Sequence, residues 1–324
     1  MKRRTFIAGL GSAVAWPAVA RAQQDVRRVG VLTANAEATA TLLIRLREEL
    51  PKLGWFEGRN LRLDIRGGDM STDRYRTFAA ELVNLRPDVI VTTGTPATMA
   101  VQQLTQTIPI VFAVAGDPLV TGLVKSVARP EGNTTGISGA FFSFGQKRVQ
   151  LLKEAAPSIE RVAYLYNPVL VPAVRRYLTS IENGAQALAV QAISIPYSNA
   201  AGIERGIDAF AAVPNGGLIF EATGFAGDYQ QLFLGLAEKY RLPAIYPNRS
   251  YVADGGLMSY SSNRDEWVRH LSSHVDRILR GAKPGDLPVE YPTRFDLVIN
   301  LKAAEAIGLA VPQTLLATAD EVIQ

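Results

Sequence analysis

The stretch that decides the fold runs Asp88-Val89-Ile90-Val91-Thr92-Thr93-Gly94-Thr95-Pro96-Ala97. Its first six residues are rich in β-branched side chains, which predicts a short buried strand over residues 88–93. Gly94 allows a turn, and Pro96 suits the first turn of a helix, where its missing N–H would have no partner. A buried strand that passes directly into a helix is the unit of a parallel sheet flanked by helices. The stretch therefore predicts an α/β fold.

The same alternation extends along the chain in both directions. Val29-Gly30-Val31-Leu32 corresponds in pattern to Val162-Ala163-Tyr164-Leu165, 133 residues later, and Ile108-Pro109-Ile110 corresponds to Leu242-Pro243-Ala244, 134 residues later. Two α/β lobes of similar size are therefore predicted, with a ligand cleft at the carboxyl ends of their strands. Strands are predicted at residues 28–34, 61–66, 88–93, 108–114, 161–166, 191–196, 217–221 and 243–246, and helices at residues 39–53, 72–85, 96–104, 173–188, 201–211, 228–240 and 265–279.

The loops of the first half carry candidate ligand contacts. Gly94-Thr95-Pro96-Ala97 places free helix N–H groups where they would attract a carboxylate or phosphate. The alternative is an ordinary strand-to-helix turn with Thr95 as N-cap. Asp117 follows the next strand, where its carboxylate would either bind a ligand amine or cap a helix that begins near Leu119. Asn35, directly after the first strand, is a further candidate.

The corresponding loops of the second half contain Asn167, Glu221 and Tyr246. Glu221 ends an apolar strand, and burying an unpaired carboxylate is costly, so this group is either solvated or paired with a cation such as a ligand ammonium. Tyr246 and three phenylalanines would provide an aromatic wall for a ligand, although such residues more often belong to a packed core or a hinge. The phenylalanines are Phe141, Phe142 and Phe225.

Residues 1–22 have the pattern of an export signal that is removed from the mature protein. Lys2-Arg3-Arg4 precedes an apolar run over residues 6–19, and Ala20-Arg21-Ala22 has the small-x-small form of a cleavage site. Arg3-Arg4 resembles a twin-arginine signal, although Sec signals also begin with basic residues. The run is shorter than the roughly 20 residues needed to span a bilayer. We therefore expect a periplasmic protein.

The composition restricts the class of function. Four of the 34 basic residues lie within residues 1–22, which leaves 30 basic and 30 acidic side chains and gives no sign of a nucleic-acid-binding surface. The absence of cysteine excludes thiol catalysis, cysteine-ligated metals and disulfides. Neither a P-loop nor a Gly-x-Ser-x-Gly elbow is present. These features favour binding over catalysis, and no cofactor is expected.

The two histidines of the chain do not form a typical metal motif. His270 and His274 lie four residues apart on one predicted helix. That spacing suits a metal, but no Glu-x-x-His motif accompanies it. The carboxylates of Asp265, Glu266 and Asp276 are expected to belong to an ordinary solvated helix face. We therefore expect no metal site.

Seven stretches carry a resemblance to a known family. They are Leu53-Gly54-Trp55-Phe56-Glu57-Gly58-Arg59-Asn60, Gly94-Thr95-Pro96-Ala97, Ile108-Pro109-Ile110-Val111-Phe112, Gly132-Asn133-Thr134-Thr135-Gly136, Tyr166-Asn167-Pro168, Leu242-Pro243-Ala244-Ile245-Tyr246 and Phe295-Asp296-Leu297-Val298-Ile299-Asn300-Leu301-Lys302. Together they resemble the substrate-binding proteins of ABC-type uptake systems, in the branch that includes tryptophan- and tyrosine-binding members. Many relatives have an aspartate where this chain has Glu221, so the cation-binding arm differs in length.

The resemblance implies a fold and a function. The fold would be periplasmic-binding-protein type I, with two Rossmann-like lobes joined by a multi-strand hinge. The protein would capture an amino acid or related carboxylate and deliver it to the permease and ATPase subunits of an ABC importer, as a monomer. A ligand-sensing subunit for a membrane receptor or sensor kinase, or a secreted α/β hydrolase, are the alternatives. Hinge crossings are expected at residues 136–142, 256–262 and 287–293, with residues 25–140 plus 260–288 in lobe one and residues 141–259 plus 289–324 in lobe two.

Overall fold

A computed structural model describes residues 26–33, 36–67, 72–114, 116–139, 144–168, 171–220 and 229–324 of the chain. These residues form two sheets of mostly parallel strands flanked by helices, so the predicted α/β class is confirmed. None of the helices in the described part of the chain combines the length and apolar character needed to span a bilayer.

The first sheet consists of β1 (Arg27–Thr33), β2 (Leu61–Gly67), β3 (Val89–Thr93), β4 (Ile110–Val114) and β5 (Thr134–Ser138). All five strands are parallel and lie in the order β2-β1-β3-β4-β5. In such a doubly wound sheet, ligands bind beyond the carboxyl ends of the strands. The connecting helices are α1 (Ala36–Glu49), α2 (Thr72–Asn84) and α3 (Thr95–Gln102).

The second sheet repeats this plan and extends it. Its strands are β6 (Arg161–Tyr166), β7 (Gln191–Pro196), β8 (Gly216–Phe220), β9 (Ala244–Tyr246), β10 (Met258–Ser262), β11 (Phe295–Asn300) and β12 (Glu321–Ile323), in the order β12-β11-β10-β9-β8-β6-β7. Strands β6 to β10 are parallel and have the same neighbours as β1 to β5, and β11 is antiparallel to β10. The helices of this half are α4 (Phe144–Ala155), α5 (Val171–Ala187), α6 (Ala200–Ala211), α7 (Gln230–Lys239), α8 (Arg249–Ala253), α10 (Leu301–Ala306) and α11 (Gln313–Leu316).

The buried strands explain why helices cover both faces of the first sheet. Ile90 and Val91 are adjacent in β3, point to opposite faces and are both fully buried. Ile90 packs in a cluster with Leu82 of α2, whereas Val91 belongs to a cluster that contains Leu46 of α1. A strand that is apolar at successive positions therefore needs a helix on each side.

The order of the described elements takes the chain from one sheet to the other three times. The chain leaves β5 for α4, whose apolar face packs on the second sheet. After β10 it returns as α9 (Arg264–Leu279), which packs on the first sheet through Leu271 and Val275, and it then enters β11. Along the last passage Glu290 N donates to Gly136 O, and Ser138 N donates to Glu290 O, each at 3.0 Å. Sheet membership changes after residue 262.

Candidate functional site

The amino terminus of α3 lies directly after the carboxyl end of β3, at the ligand-binding edge of the first sheet. Gly94 occupies the N-cap position with φ 86° and ψ 148°, and Thr95 is the first helical residue. The alternative prediction, with Thr95 as N-cap, is therefore wrong. Gly94 has no side chain to cap the first turn, Pro96 has no amide hydrogen, and the described residues provide no acceptor for the amides of Thr95 and Ala97.

Threonines around this turn fix its shape. The Thr98 amide and hydroxyl both donate to Gly94 O, at 3.2 and 2.9 Å, and the hydroxyls of Thr92 and Thr98 lie 2.8 Å apart. The hydroxyl oxygen of Thr93 is buried and has no hydrogen-bond partner among the described residues. A buried hydroxyl without a partner is uncommon and costs about 1–3 kcal/mol. The turn therefore combines unused amide donors with an unused hydroxyl, which suits it to an anionic group.

Asp117 has protein partners on both carboxylate oxygens. Its Oδ1 accepts a hydrogen bond of 2.9 Å from Leu119 N, as the capping interpretation predicts. The segment after it consists of turns, not the expected helix, and Thr121 N and Thr121 Oγ1 both donate to Asp117 O, at 3.0 and 2.9 Å. Its Oδ2 lies 3.5 Å from Nη1 of Arg176 in α5. Asp117 thus connects the first lobe to a helix of the second.

Tyr291 of the last hinge passage lies close to this ion pair. Burial raises the pKa of Tyr291, the Asp117 carboxylate raises it further, and the Arg176 guanidinium lowers it. The three groups come from the loop after β4, from α5 and from the passage before β11. Because these three groups lie close together, Asp117 is located where the two lobes approach each other beside the hinge.

Tyr246 belongs to the core of the second lobe in this structure. Its side chain is 1% exposed, and its ring stacks on Phe220 and Tyr251 with centroid distances of 5.0 and 5.6 Å. Burial raises the pKa of its hydroxyl. The core interpretation of Tyr246, not the aromatic wall, matches this packing.

Of the remaining predicted ligand contacts, the structure describes only Asn167. Asn167 lies half-buried directly after β6, at the carboxyl edge of the second sheet. Asn35, Glu221, Phe141, Phe142 and Phe225 lie outside the described residues.

Helix α4 contributes a residue that the sequence analysis does not single out. Arg148 is 3% exposed and shares its helix face with core residues such as Leu152. Its Nε and Nη2 donate to Tyr260 O at 3.2 and 3.0 Å, Nη2 also donates to Pro247 O at 3.1 Å, and Nη1 donates to Tyr177 Oη at 2.7 Å. A basic residue within an apolar helix stripe is the sequence signal that would have found it.

The two histidines connect α9 to the last hinge passage. His270 Nδ1 contacts the Glu290 carboxylate, and its Nε2 lies 3.6 Å from Glu266 Oε1. The ring nitrogens of His274, which is fully buried, each lie 3.0 Å from a carbonyl oxygen, that of His270 or that of Pro288. Among the described residues there is no group of three or more side chains that would hold a metal ion. The expectation of a solvated helix face is wrong for Glu266, whose side chain is 8% exposed.

The chain is similar to substrate-binding proteins of ABC transporters. A family model described as ABC transporter substrate binding protein matches residues 31–323. The tyrosine-binding protein of Clostridioides difficile is 23% identical over 262 residues, which are 79% of this chain and 73% of that protein.

Two solved structures share the whole fold. A conserved domain protein from Vibrio cholerae O1 biovar El Tor superposes with a TM-score of 0.81 and 28% identity, over 92% of this chain and 100% of its own. The ABC domain from Streptococcus pneumoniae in complex with L-Trp has a TM-score of 0.81 and 21% identity, over 92% of this chain and 99% of its own.

Proposed function

We propose that this chain, which belongs to the ABC transporter substrate-binding protein family, captures an α-amino acid or a related carboxylate between its two lobes for an ABC importer. The observation that carries the ligand class is the uncapped amino terminus of α3, with free amides at Thr95 and Ala97. Helix amino termini attract anions because their N–H groups and the helix dipole both favour negative charge. A ligand carboxylate bound there would also reach the Thr95 hydroxyl.

The ammonium of an amino acid would require a carboxylate partner. Asp117 is already bonded to Leu119 N and faces Arg176. That leaves Glu221, at the sequence position after β8, as the stronger candidate. Asn167, at the edge of the second sheet, is proposed to bind the ligand from the second lobe.

Aromatic amino acids are the first ligands to test. One relative is named a tyrosine-binding protein, and a structural neighbour was solved with L-Trp. A thermal-shift screen of amino acids, aromatic acids and short carboxylates tests the proposal directly. A ligand at 100 times its Kd stabilises the folded state by about 2.7 kcal/mol. A screen in which no amino acid or carboxylate raises the Tm contradicts the proposed ligand class.

Closure of the lobes is proposed to accompany binding. A ligand that contacts both lobes gains contacts in the closed state that it lacks in the open state, and this difference shifts the equilibrium. We expect small-angle X-ray scattering to give a smaller radius of gyration at ligand saturation. An unchanged radius at saturation would contradict closure.

The mature protein is proposed to act as a periplasmic monomer after removal of residues 1–22. The basic start and the Ala20-Arg21-Ala22 site support removal of this segment. Amino-terminal sequencing of the exported protein tests the cleavage site, and light scattering coupled to size exclusion tests the monomer. Export from strains that lack one secretion route distinguishes the twin-arginine route from Sec.

A further inference from the structure

The guanidinium of Arg148 is a buried positive charge whose described partners are all neutral. They are the carbonyl oxygens of Pro247 and Tyr260 and the hydroxyl of Tyr177. No carboxylate of the described residues forms an ion pair or hydrogen bond with it. Buried charges are normally paired, because removing an uncompensated ion from water costs several kcal/mol.

The hydrogen bonds also leave the guanidinium with unused capacity. Arginine has five N–H donors, and the four bonds to neutral acceptors use four of them. One hydrogen on Nη1 has no acceptor among these contacts. An anionic group would supply both the missing acceptor and the missing charge.

Arg148 lies at the carboxyl edge of the second sheet. Pro247 is the first residue after β9, and Tyr260 lies in β10, which extends beyond the end of β9. Arg148 itself is in the first turns of α4, directly after the passage from β5. This edge of a parallel sheet is where ligands bind.

Aromatic rings surround the charge. The guanidinium carbon lies 5.9 Å from the centroid of Phe144 and 5.6 Å from that of Tyr177. Phe144 also packs edge-on against Tyr260 and Phe295, with centroid distances of 5.4 and 5.0 Å. Because the guanidinium is buried away from water, its charge acts more strongly than it would at an exposed site.

We propose that Arg148 is the specificity-determining residue of the second lobe and selects ligands that carry a negative charge. This inference rests on the proposed function, because it assigns the charge of the ligand captured there. The amino terminus of α3 attracts the anion from the first lobe, and Arg148 attracts it from the second. An anion is then bound more tightly in the closed cleft than in either lobe alone.

A purely structural role makes a different prediction. In a purely structural role, Arg148 would hold the carbonyls of Pro247 and Tyr260 in place. Its loss would then weaken the binding of every ligand by the same factor. As a selector of negative charge, its loss weakens acids much more than the corresponding amides, which lack the carboxylate. The ratio of the two affinities therefore separates the two roles.

Arg161 is a matched control in the same lobe. It donates to the carbonyl oxygens of Phe210, Val213 and Pro214, and its guanidinium carbon lies 4.5 Å from the centroid of the Phe210 ring. It begins β6 and so lies at the opposite edge of the sheet from the ligand. Arg161→Gln removes a similar set of hydrogen bonds to carbonyl oxygens without changing the charge at the cleft.

The experiment measures binding of acid and amide pairs by titration calorimetry. The pairs are L-tryptophan and L-tryptophanamide, L-tyrosine and L-tyrosinamide, and benzoate and benzamide. Urea unfolding first confirms that each variant is folded. We expect the parent to prefer the acid of at least one pair by about tenfold or more, and Arg148→Gln to lose most of this preference. Arg148→Lys should retain part of it, and Arg161→Gln should retain all of it.

The outcomes separate the inference from the proposed function. A folded Arg148→Gln variant with the acid preference of the parent overturns the inference, as does a parent that prefers no acid of the panel. A parent that prefers benzoate but binds neither amino acid contradicts the amino-acid part of the proposed function. In that case the acid preference of Arg148→Gln still decides the role of Arg148.

Discussion

At the scale of single residues, buried polar groups show how tightly the hinge is specified. Glu266 of α9 accepts hydrogen bonds from Thr293 N at 2.9 Å, Thr293 Oγ1 at 2.7 Å and Arg294 N at 2.8 Å. Burial alone would raise the pKa of Glu266, but the bonds from Arg294 and Thr293 and the nearby His270 outweigh it and lower the pKa. The ionised carboxylate therefore fixes the passage before β11 to a helix of the first lobe.

The lowered pKa of Glu266 predicts a pH dependence of stability. Because the folded pKa is below the unfolded one, the contribution is complete above the unfolded pKa of about 4.3 and is lost as the pH falls through the folded pKa. We expect Glu266→Gln to lower the free energy of unfolding by about 1.5–3 kcal/mol at pH 7, and by less in acid. Urea unfolding from pH 7 to pH 3 measures this. The exposed Glu305→Gln is the control, and a constant loss across this range would contradict the assignment.

Two substitutions at the start of α3 separate backbone from side-chain recognition. Thr95→Val removes a hydroxyl but keeps the amides, so the affinity for a carboxylate ligand should fall by at most about 1.5 kcal/mol. Gly94→Ala should cost more, because Gly94 has φ 86° and a Cβ there strains the turn that aims the amides. Calorimetry with the ligand found by the screen measures both. Equal affinities for Gly94→Ala and the parent would contradict a role for this turn.

At the scale of elements, the close approach of α4 and α5 depends on small residues. A Cβ on Gly184 of α5 would lie 2.7 Å from Gln146 Cα, and one on Gly145 of α4 would lie 2.6 Å from Ile181 N. Real Cβ atoms do not tolerate such backbone contacts, so any larger residue must separate the helices. This packing holds Arg148 of α4 beside Tyr177 of α5.

Gly184→Ala should therefore destabilise the protein despite the better helix propensity of alanine. We expect a loss of about 1–3 kcal/mol from overpacking, which exceeds the gain of about 1 kcal/mol in propensity. The control is Gly235→Ala in α7, where no atom lies within 4 Å of the new Cβ and a small gain is expected. Urea midpoints measure both variants. A Gly184→Ala variant that is as stable as Gly235→Ala would show that the helices can move apart freely.

The sequence predicts elements where one physical signal dominates. Strands such as β1 and β3 combine β-branched residues with burial, and their predicted bounds agree with the structure within one or two residues. Helix α4 was not predicted, because Gly145 and Arg148 interrupt its apolar stripe. The antiparallel direction of β11 has no local signal, since it follows from the return of the chain across the hinge.

The sequence predicts only those parts of the candidate site that a single short stretch of residues encodes. The turn at Gly94-Thr95-Pro96-Ala97 is visible in the sequence because glycine and proline have positional preferences. Tyr246 is buried in the second lobe, and in the sequence an aromatic residue at a strand end looks the same whether it lies in a core or in a cleft. The approach of Arg176 to Asp117 depends on how the lobes meet, which no short stretch encodes.

At the scale of the whole molecule, the Asp117–Arg176 pair joins the two lobes. The Arg176 side chain is 62% exposed, so the pair contributes little, about 0–1 kcal/mol. Its effect lies in favouring the arrangement in which the lobes are close.

Asp117→Asn separates this role from direct ligand binding. Asparagine keeps an oxygen for Leu119 N but removes the charge that faces Arg176. If Asp117 acts only through this ion pair, the ligand affinity of Asp117→Asn should fall at most fivefold, and Arg176→Gln should show the same loss. About 0.5 M salt should then abolish the difference in affinity between the parent and each variant. A salt-resistant loss of more than tenfold in Asp117→Asn alone would instead show that Asp117 binds the ligand ammonium.

The three passages of the chain between the sheets also determine when each lobe can be completed during synthesis. The core that surrounds Val31 and Leu46 includes Leu271 and Val275 of α9, and β12 at residues 321–323 completes the second sheet. A nascent chain that has exposed only its first half therefore lacks part of the core of the lobe it begins. Neither core can therefore be completed until part of the last quarter of the chain has left the ribosome.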